Sequence, residues 1–459
     1  MSSIETTPAG IPAQTIISTV LGSEDAIAVD FRIAHKDRLR YVDESGDWML
    51  FNGQRWARTP VSAVWNALRP IAREHAERAF DQPGQRRSLL KSSAISGSER
   101  LARGSLLLPH DAFDADPWML NTPAGMVDLR TGEISPAVPE AYCTKMTAVA
   151  PGGECPRWHQ FLAEITGSDE GLQRYLQRVI GYSLVGQVFE HVLIFLYGTG
   201  ANGKGTFLNT VAGVLADYAK VAPMDTFTDT RNERHPADMA MLRGARLVTA
   251  QETDEGRYWS EAKVKALTGG DPVSARFMRQ DFFTYTPQFT LVVAGNHKPR
   301  LRNVDEAFRR RIHMVPFTVT IPEERRDSRL MDTLRDEWSG ILQWAIDGCR
   351  VWQELGGLEP PAIVRGMTTE YLTGQDPLTG WLEDCCRVAD GETATPTELF
   401  ESYTGWCRAN DEAPEGPKRF SQLLEGRGFN RGKVGGQRVF RGVKVVGVED
   451  ALADLADVL

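Results

Sequence analysis

Residues 193–211, LIFLYGTGANGKGTFLNTV, carry an apolar run into a glycine-rich turn with a single lysine. Gly198 followed by Gly203-Lys204 has the spacing of a phosphate-binding loop, in which backbone N–H groups and a helix N-terminus cradle phosphates while the lysine adds a point charge. The set Gly198, Gly200, Asn202, Gly203, Lys204, Gly205 and Thr206 is therefore expected to hold ATP with Mg²⁺. Gly205 stands where serine or threonine is usual, and Thr206 brings the hydroxyl one place late, still near the metal shell. A structural glycine turn is the plainer reading, but a turn between an apolar strand and a helical pattern favours the nucleotide.

Other candidates follow in chain order. RLVTAQETDEG ends its apolar run at Gln251-Glu252, where a carboxylate can bind magnesium and polarise a water. An aspartate usually precedes this acid; with Gln251 there, Glu252 has to serve both roles, and Asp254 and Glu255 read as a solvated turn. FTLVVAGNHKP ends at Asn296, whose amide could hold the attacking water or the γ-phosphate, the sensor 1 role, although such residues commonly form turns. DEAFRRRIHMVPF places Arg309, Arg310 and Arg311 before a last strand; such a run is ordinarily a solvated face, but ring-forming ATPases present an arginine here to a neighbour's phosphate. Between the acid and the amide, PVSARFMRQDFFTYTP reads as a hairpin with Arg279-Gln280-Asp281 near its tip, suited to gripping a nucleic-acid backbone, or else a surface hairpin with incidental arginines.

The elements that must position these residues read as an α/β arrangement. HVLIFLYG, GARLVTAQE, FTLVVAGN and RIHMVPF are short apolar runs, as in a mainly parallel sheet buried on both faces. They define a core over residues 191–357, closed by the helical stretch SGILQWAIDGCRVWQELGG. Ahead of it, residues 156–190 carry Phe161, Leu162 and Ile165, then Leu172, Tyr175, Leu176, Val179 and Ile180, at helical spacing: a helical collar whose role is packing. Residues 1–155 mix short strands (WMLFNGQRW, MVDLRTGEI) with helical patterns in an α+β domain, and the Pro/Gly-rich APGGECPRW marks its end. In residues 358–459 three helical stretches, PLTGWLEDCCRV, PTELFESYTGWCRAN and KRFSQLLEGRGF, precede a hairpin, VGGQRVFRGVKVV, suggesting a winged-helix-like module.

Composition bounds the reading. With 459 residues, 42% of them apolar, the chain can form several cored domains. No run of eighteen apolar residues occurs, and MSSIETTPAG lacks signal-peptide features, so a cytoplasmic protein without a membrane is expected. Cys143, Cys155, Cys349, Cys385, Cys386 and Cys407 form no CxxC pair and read as reduced thiols. A formal charge of −9 argues against a chain coated in nucleic acid, but it can hide basic segments. One is C-terminal, holding Lys418, Arg419, Arg427, Arg431, Lys433, Arg438, Arg441 and Lys444.

Taken in order, GTGANGKGTF, TAQETDEG, KALTGGDPVSARF, AGNHKP and DEAFRRRIHMVPF resemble the helicase part of phage and plasmid primase-helicases, superfamily 3 helicases related to those of poxviruses. FDADPWMLNTPAGMVDLRTGEI resembles the domain ahead of that helicase, so the likeness spans roughly residues 110–320. It implies an AAA+-like ATPase assembled as a ring, usually a homo-hexamer, moving 3′ to 5′ on single-stranded DNA at a fork in a bacterial host cell. Lys204 and Thr206 match the family's Walker A motif, Glu252 its acidic position, Asn296 its sensor, and Arg310 and Arg311 the end of its arginine motif. Lys265, Arg276 and Arg279 fall in its DNA-gripping segment; in an origin-binding or loader ATPase, Lys418, Arg419, Arg431, Lys433 and Arg438 of the basic C-terminal stretch are expected to read duplex DNA as a winged helix. The sequence departs from the family at Gln251, at Arg309, where an aromatic is common, and in being too short ahead of the core for a primase domain. Asp114-Ala115-Asp116, the best candidate for a polymerising metal site, lies within the pre-helicase match and reads as structural, so a separate primase or initiator is expected.

The resulting expectation is an ATP-dependent replicative DNA helicase of a phage, plasmid or integrated element. An origin-binding or loader ATPase that does not unwind processively is the main alternative. A small-molecule phosphotransferase, suggested only by Gly203-Lys204-Gly205-Thr206, lacks acceptor-site signals.

Overall fold

The computed structural model describes residues 22–79, 81–229, 237–252 (without the Glu252 side chain), 256–278, 281–301, 306–374, 378–410 and 414–446. Its centre is a five-stranded sheet in the order Ile312–Pro316, Leu193–Tyr197, Thr290–Gly295, Leu247–Glu252, Ala219–Val221, with every neighbouring pair parallel. The four apolar runs form four of these strands, and Thr290–Gly295 is inserted between two strands that precede it in sequence. Alternation explains why the runs are continuously apolar: successive side chains enter different cores. Ile194, Leu196, Val292, Ala294 and Val315 enter one core, and Leu193, Phe195, Leu291, Val293 and Met314 the other.

The collar helices, Pro156–Thr166 and Glu170–Tyr182, cover the first face together with Lys204–Leu215 and Trp338–Leu355. Asp169 caps the second collar helix by accepting from Leu172 N at 2.9 Å. This helix crosses Trp338–Leu355 at backbone contact: a Cβ on Gly181 would lie 2.1 Å from Cys349 N, and one on Gly348 would lie 2.3 Å from Gln177 O. Gly181→Ala or Gly348→Ala is therefore expected to force the helices apart and cost about 1–3 kcal/mol, read as a lowered denaturation midpoint. A midpoint equal to wild type would contradict this crossing.

Toward the N-terminus, a three-stranded antiparallel sheet (Leu39–Val42, Asp47–Phe51, Trp56–Thr59) packs with Glu24–His35, Val61–Arg78 and Ser92–Ser105 around Ile27, Phe31, Trp48 and Leu68. A second antiparallel sheet, Met119–Thr122, Gly125–Asp128 and Ile134–Ser135, instead sends Leu120 and Val127 into the core of the collar. Buried Arg246 joins these parts, donating to Leu184 O at 2.6 Å and Met119 O at 2.8 Å.

Beyond residue 357, the helix Ala362–Gly374 still buries Tyr371 and Leu372 against the parallel sheet's second face. The last unit has its own core of Trp381, Tyr403, Phe420 and Phe440. Helices Thr379–Cys385, Pro396–Ala409 and Pro417–Gly426 accompany an antiparallel sheet in the order Cys386–Ala394, Gln437–Val445, Arg431–Val434, giving the expected winged-helix arrangement. One segment differs from the sequence reading. The helix through PLTGWLEDCCRV stops at Cys385, because Cys386 pairs with Val445 and Val388 with Val443 as a third strand.

Candidate nucleotide-binding site

Strand register lines up the carboxyl edge of the sheet: Gly295 lies opposite both Tyr197 and Glu252, and Pro316 lies opposite Tyr197. The residues that follow these positions, Gly198, Asn296 and Phe317, border one rim. That rim is where parallel α/β sheets bind ligands.

The loop is tightly built. A Cβ on Gly198 would meet Phe317 O at 2.2 Å, and one on Gly203, at φ +81°, would meet Ile165 of the collar at 2.4 Å. Asn202 is buried and donates through Nδ2 to Phe317 O at 2.9 Å, while Ala201 O accepts from Ile321 N at 2.8 Å, tying the loop to the outer strand. Gly200 takes φ +109°. Gly205 faces open space, so the missing hydroxyl at that position is not enforced by packing. No side chain caps the following helix, Lys204–Leu215, which leaves its first-turn N–H groups directed at the loop.

The buried ammonium of Lys204 donates to Gly198 O at 2.6 Å, Asn202 Oδ1 at 3.0 Å and Asn296 Oδ1 at 3.1 Å. All three acceptors are neutral. Burial, with no counter-charge among the described residues, lowers its pKa to about 8. A buried cation with neutral acceptors beside open helix N–H groups suits a polyanion such as a nucleotide's phosphates. The loop, Lys204 and the Asn296 amide are thus brought together. The backbone of Glu252 ends its strand beside Gly295, whereas its side chain, with Asp254 and Glu255, lies outside the described residues.

The arginines stand elsewhere. Arg311 O accepts from Leu193 N at 2.6 Å, at the opposite edge of the sheet, so five residues of strand, roughly 16 Å, separate this point from the loop. Arg310 is exposed; Arg311 turns inward, donating through Nη1 to Ala307 O at 2.7 Å, with its Nε buried and unpartnered among the described residues. The hairpin of Val273–Ala275 and Phe283–Tyr285 also precedes the start of its strand, on that far edge. Arg276 is half-buried in it, Lys265 is half-buried on the helix Glu261–Gly269, and Arg279 lies outside the described residues. Three exposed apolar side chains at this hairpin, Phe277, Met278 and Phe282, escaped the sequence reading. Their closeness to the turn, where burial is hard, was the available signal.

In the C-terminal unit Lys418 is exposed, Arg419 is half-buried, and Arg431 pairs with Glu425. Lys433 and Arg438 sit directly opposite each other in the hairpin. Asp114 accepts from Lys145 Nζ at 2.6 Å and Thr144 N at 2.7 Å, and Asp116 accepts from Trp118 N at 2.9 Å, so both are occupied as structural groups. Among the described residues no group of acids, histidines and cysteines could hold a metal by itself, and no helix is long and apolar enough to cross a membrane. None of the six cysteines is in a disulfide.

The five-stranded parallel sheet, with a glycine-rich loop after one inner strand, places the chain in the mixed α/β class. Residues 30–167 match the family described as D5 N terminal like, and residues 196–311 match a family of unknown function. The chain is 25% identical over 274 residues to "Putative helicase 022R" of Frog virus 3 (isolate Goorha), covering 55% of this chain and 28% of the relative. It is 22% identical over 325 residues to "Putative helicase L207/L206" of Acanthamoeba polyphaga mimivirus, covering 65% and 34% respectively. Among solved structures the C-terminal region of NrS-1 shares the fold, with a TM-score of 0.51 at 8% identity, over 92% of this chain and 98% of that one. The match spans about a third or less of the length of these viral relatives.

Proposed function

We propose that the chain is an ATP-driven DNA helicase of the superfamily 3, AAA+-like type, acting in replication of a phage, plasmid or integrated element in a bacterial cytoplasm. The observation that carries this reading is the Lys204 ammonium, buried at the sheet's carboxyl rim with only neutral partners among the described residues. Lys204 and the loop backbone of Gly198, Gly200, Asn202, Gly203, Gly205 and Thr206 bind the phosphates; Asn296, released from Lys204, orients the attacking water. Thr206 and Glu252 hold Mg²⁺, which neutralises charge on the phosphates. The far-edge position of the arginines fits a ring, probed as a homo-hexamer, in which one subunit's Arg310 reaches its neighbour's nucleotide. Lys265, Arg276 and Arg279 grip single-stranded DNA, with movement 3′ to 5′ along one arm of a fork, and a separate primase or initiator supplies the start.

Single-stranded DNA is expected to raise ATP turnover severalfold, measured as phosphate release with and without a DNA strand. Turnover indifferent to DNA, with phosphate passed to a nucleotide acceptor, would contradict the helicase reading. A pH dependence follows as well. With a free-state pKa of about 8, Lys204 is charged below that value and neutral above it. Phosphates bind the charged form, so nucleotide affinity falls as pH rises through 8, by up to tenfold per unit, and binding above pH 8 takes up a proton. Calorimetry in buffers of different ionisation enthalpy measures that uptake; none at pH 8.5 would contradict it.

A second reading, an origin-binding or loader ATPase, is favoured by the C-terminal unit. Like charges directly opposite each other, as at Lys433 and Arg438, destabilise a hairpin unless an anion such as a DNA phosphate lies between them. With Lys418, Arg419 and Arg431 they would then hold duplex DNA.

A further inference from the structure

The hairpin on the far edge of the sheet carries more exposed aromatic surface than a phosphate grip requires. Phe277 is 40% exposed, Phe282 60% and Met278 70%. These side chains are nonetheless held in order. Phe277 stacks on Phe283 with centroids 5.5 Å apart and planes at 26°, and the Arg243 guanidinium lies over the Phe283 ring at 4.8 Å. Arg276 lies over the Phe282 ring at 4.7 Å, with its Nε buried and unpartnered. Guanidinium groups fix two of the rings, and neither arginine forms an ion pair among the described residues; Glu44 and Asp111 act on Arg243 without contacting it as one. The Phe277 ring also lines a cleft of about 1470 Å³ that runs to the N-terminal region, with Arg243, Lys220, Tyr285, Met49 and Phe113 among its walls. That volume exceeds the few hundred to 1,000 Å³ typical of a small-ligand pocket and suits an extended chain.

We propose that Phe277 and Phe282 are stacking platforms for the bases of single-stranded DNA, with Arg276 and Arg243 backing the rings and adding positive charge beside the backbone. Every base has a π-face, so the platforms grip any sequence, and each stacked base contributes on the order of tenfold in affinity. This rests on the reading that the hairpin holds single-stranded DNA, but it assigns part of the grip to bases, where phosphate contact alone would ignore them. It also accounts for large apolar side chains left in water at the end of a short hairpin.

The test compares a labelled oligothymidine with a strand of equal length carrying abasic sites, titrated into the full chain by fluorescence anisotropy. Wild type is expected to bind the abasic strand roughly a hundredfold more weakly, about tenfold for each of the two platforms. Phe277→Leu and Phe282→Leu keep apolar bulk but lose the ring; each should weaken binding of the intact strand severalfold and leave the abasic strand unchanged, narrowing the discrimination without abolishing it because the other ring remains, and Phe282→Trp should keep it at the wild-type level. Both side chains are solvent-exposed, so unchanged denaturation midpoints are the check on folding. Equal affinity of wild type for the two strands, or leucine variants that discriminate as strongly as wild type, would overturn the platforms. If discrimination were absent while Arg276→Ala weakened both strands and flattened the salt dependence, the hairpin would remain the DNA grip through phosphates alone. Absence of any single-strand binding by wild type would overturn both the platforms and the hairpin reading.

Discussion

Lys204→Ala is expected to lower ATP turnover at least a hundredfold, to the level of the buffer control. The lysine is the charged group seen at the loop, and removing one preorganised donor from a developing negative charge typically costs 10²–10³ in rate. The fold should survive the change. Among the described residues no carboxylate is paired with the ammonium, so the substitution strands no counter-charge there, and the acceptors it leaves are Gly198 O, Asn202 Oδ1 and Asn296 Oδ1 at the rim. A purified variant with a wild-type denaturation midpoint and no turnover meets the prediction. Near-normal turnover would mean that the loop is a structural turn.

The second large effect concerns neighbouring arginines whose surroundings differ. Arg310 is exposed and bonds only weakly to Glu306 O at 3.4 Å, whereas Arg311 is turned into its own subunit through Ala307 O at 2.7 Å. Arg310→Ala is expected to cut turnover about 10³-fold or more, the range for an arginine supplied in trans, without changing the denaturation midpoint. Arg311→Ala is expected to lower the midpoint first, by about 1.5–3 kcal/mol for a lost bond from a charged donor. Because the sheet separates Arg310 from its own loop, inactive Lys204→Ala and Arg310→Ala subunits should rebuild some complete interfaces when mixed. Mixed rings with no recovered turnover at any ratio would assign Arg310 a purely local role.

Much of this was legible in the sequence because burial on both faces leaves little latitude. Leu193–Leu196 and Thr290–Gly295 read as strands since almost any polar residue there would enter one core or the other. The loop was legible from glycine spacing, and the structure supplies the reasons: Phe317 O crowds Gly198, and Ile165 crowds Gly203. Segments decided by partners distant in sequence were not legible. The edge strand Ala219–Val221 is short, with Lys220 and Val221 exposed, and the strand from Cys386 follows a helix without a break in hydrophobicity, so pairing with Val445 alone decides it. The separation of Arg310 from Lys204 depends on strand direction, which no local pattern records. The tie from Asn202 to Phe317 spans 115 positions and likewise had no local signal.

The most direct measurement is ATP-dependent strand displacement on forked DNA, comparing a substrate with only a 3′ single-stranded arm with one having only a 5′ arm. The account predicts displacement on the 3′-armed substrate, little on the 5′-armed one, and none on either with Lys204→Ala. ATP turnover stimulated by DNA with no displacement on either substrate would contradict it and leave the loader reading in its place.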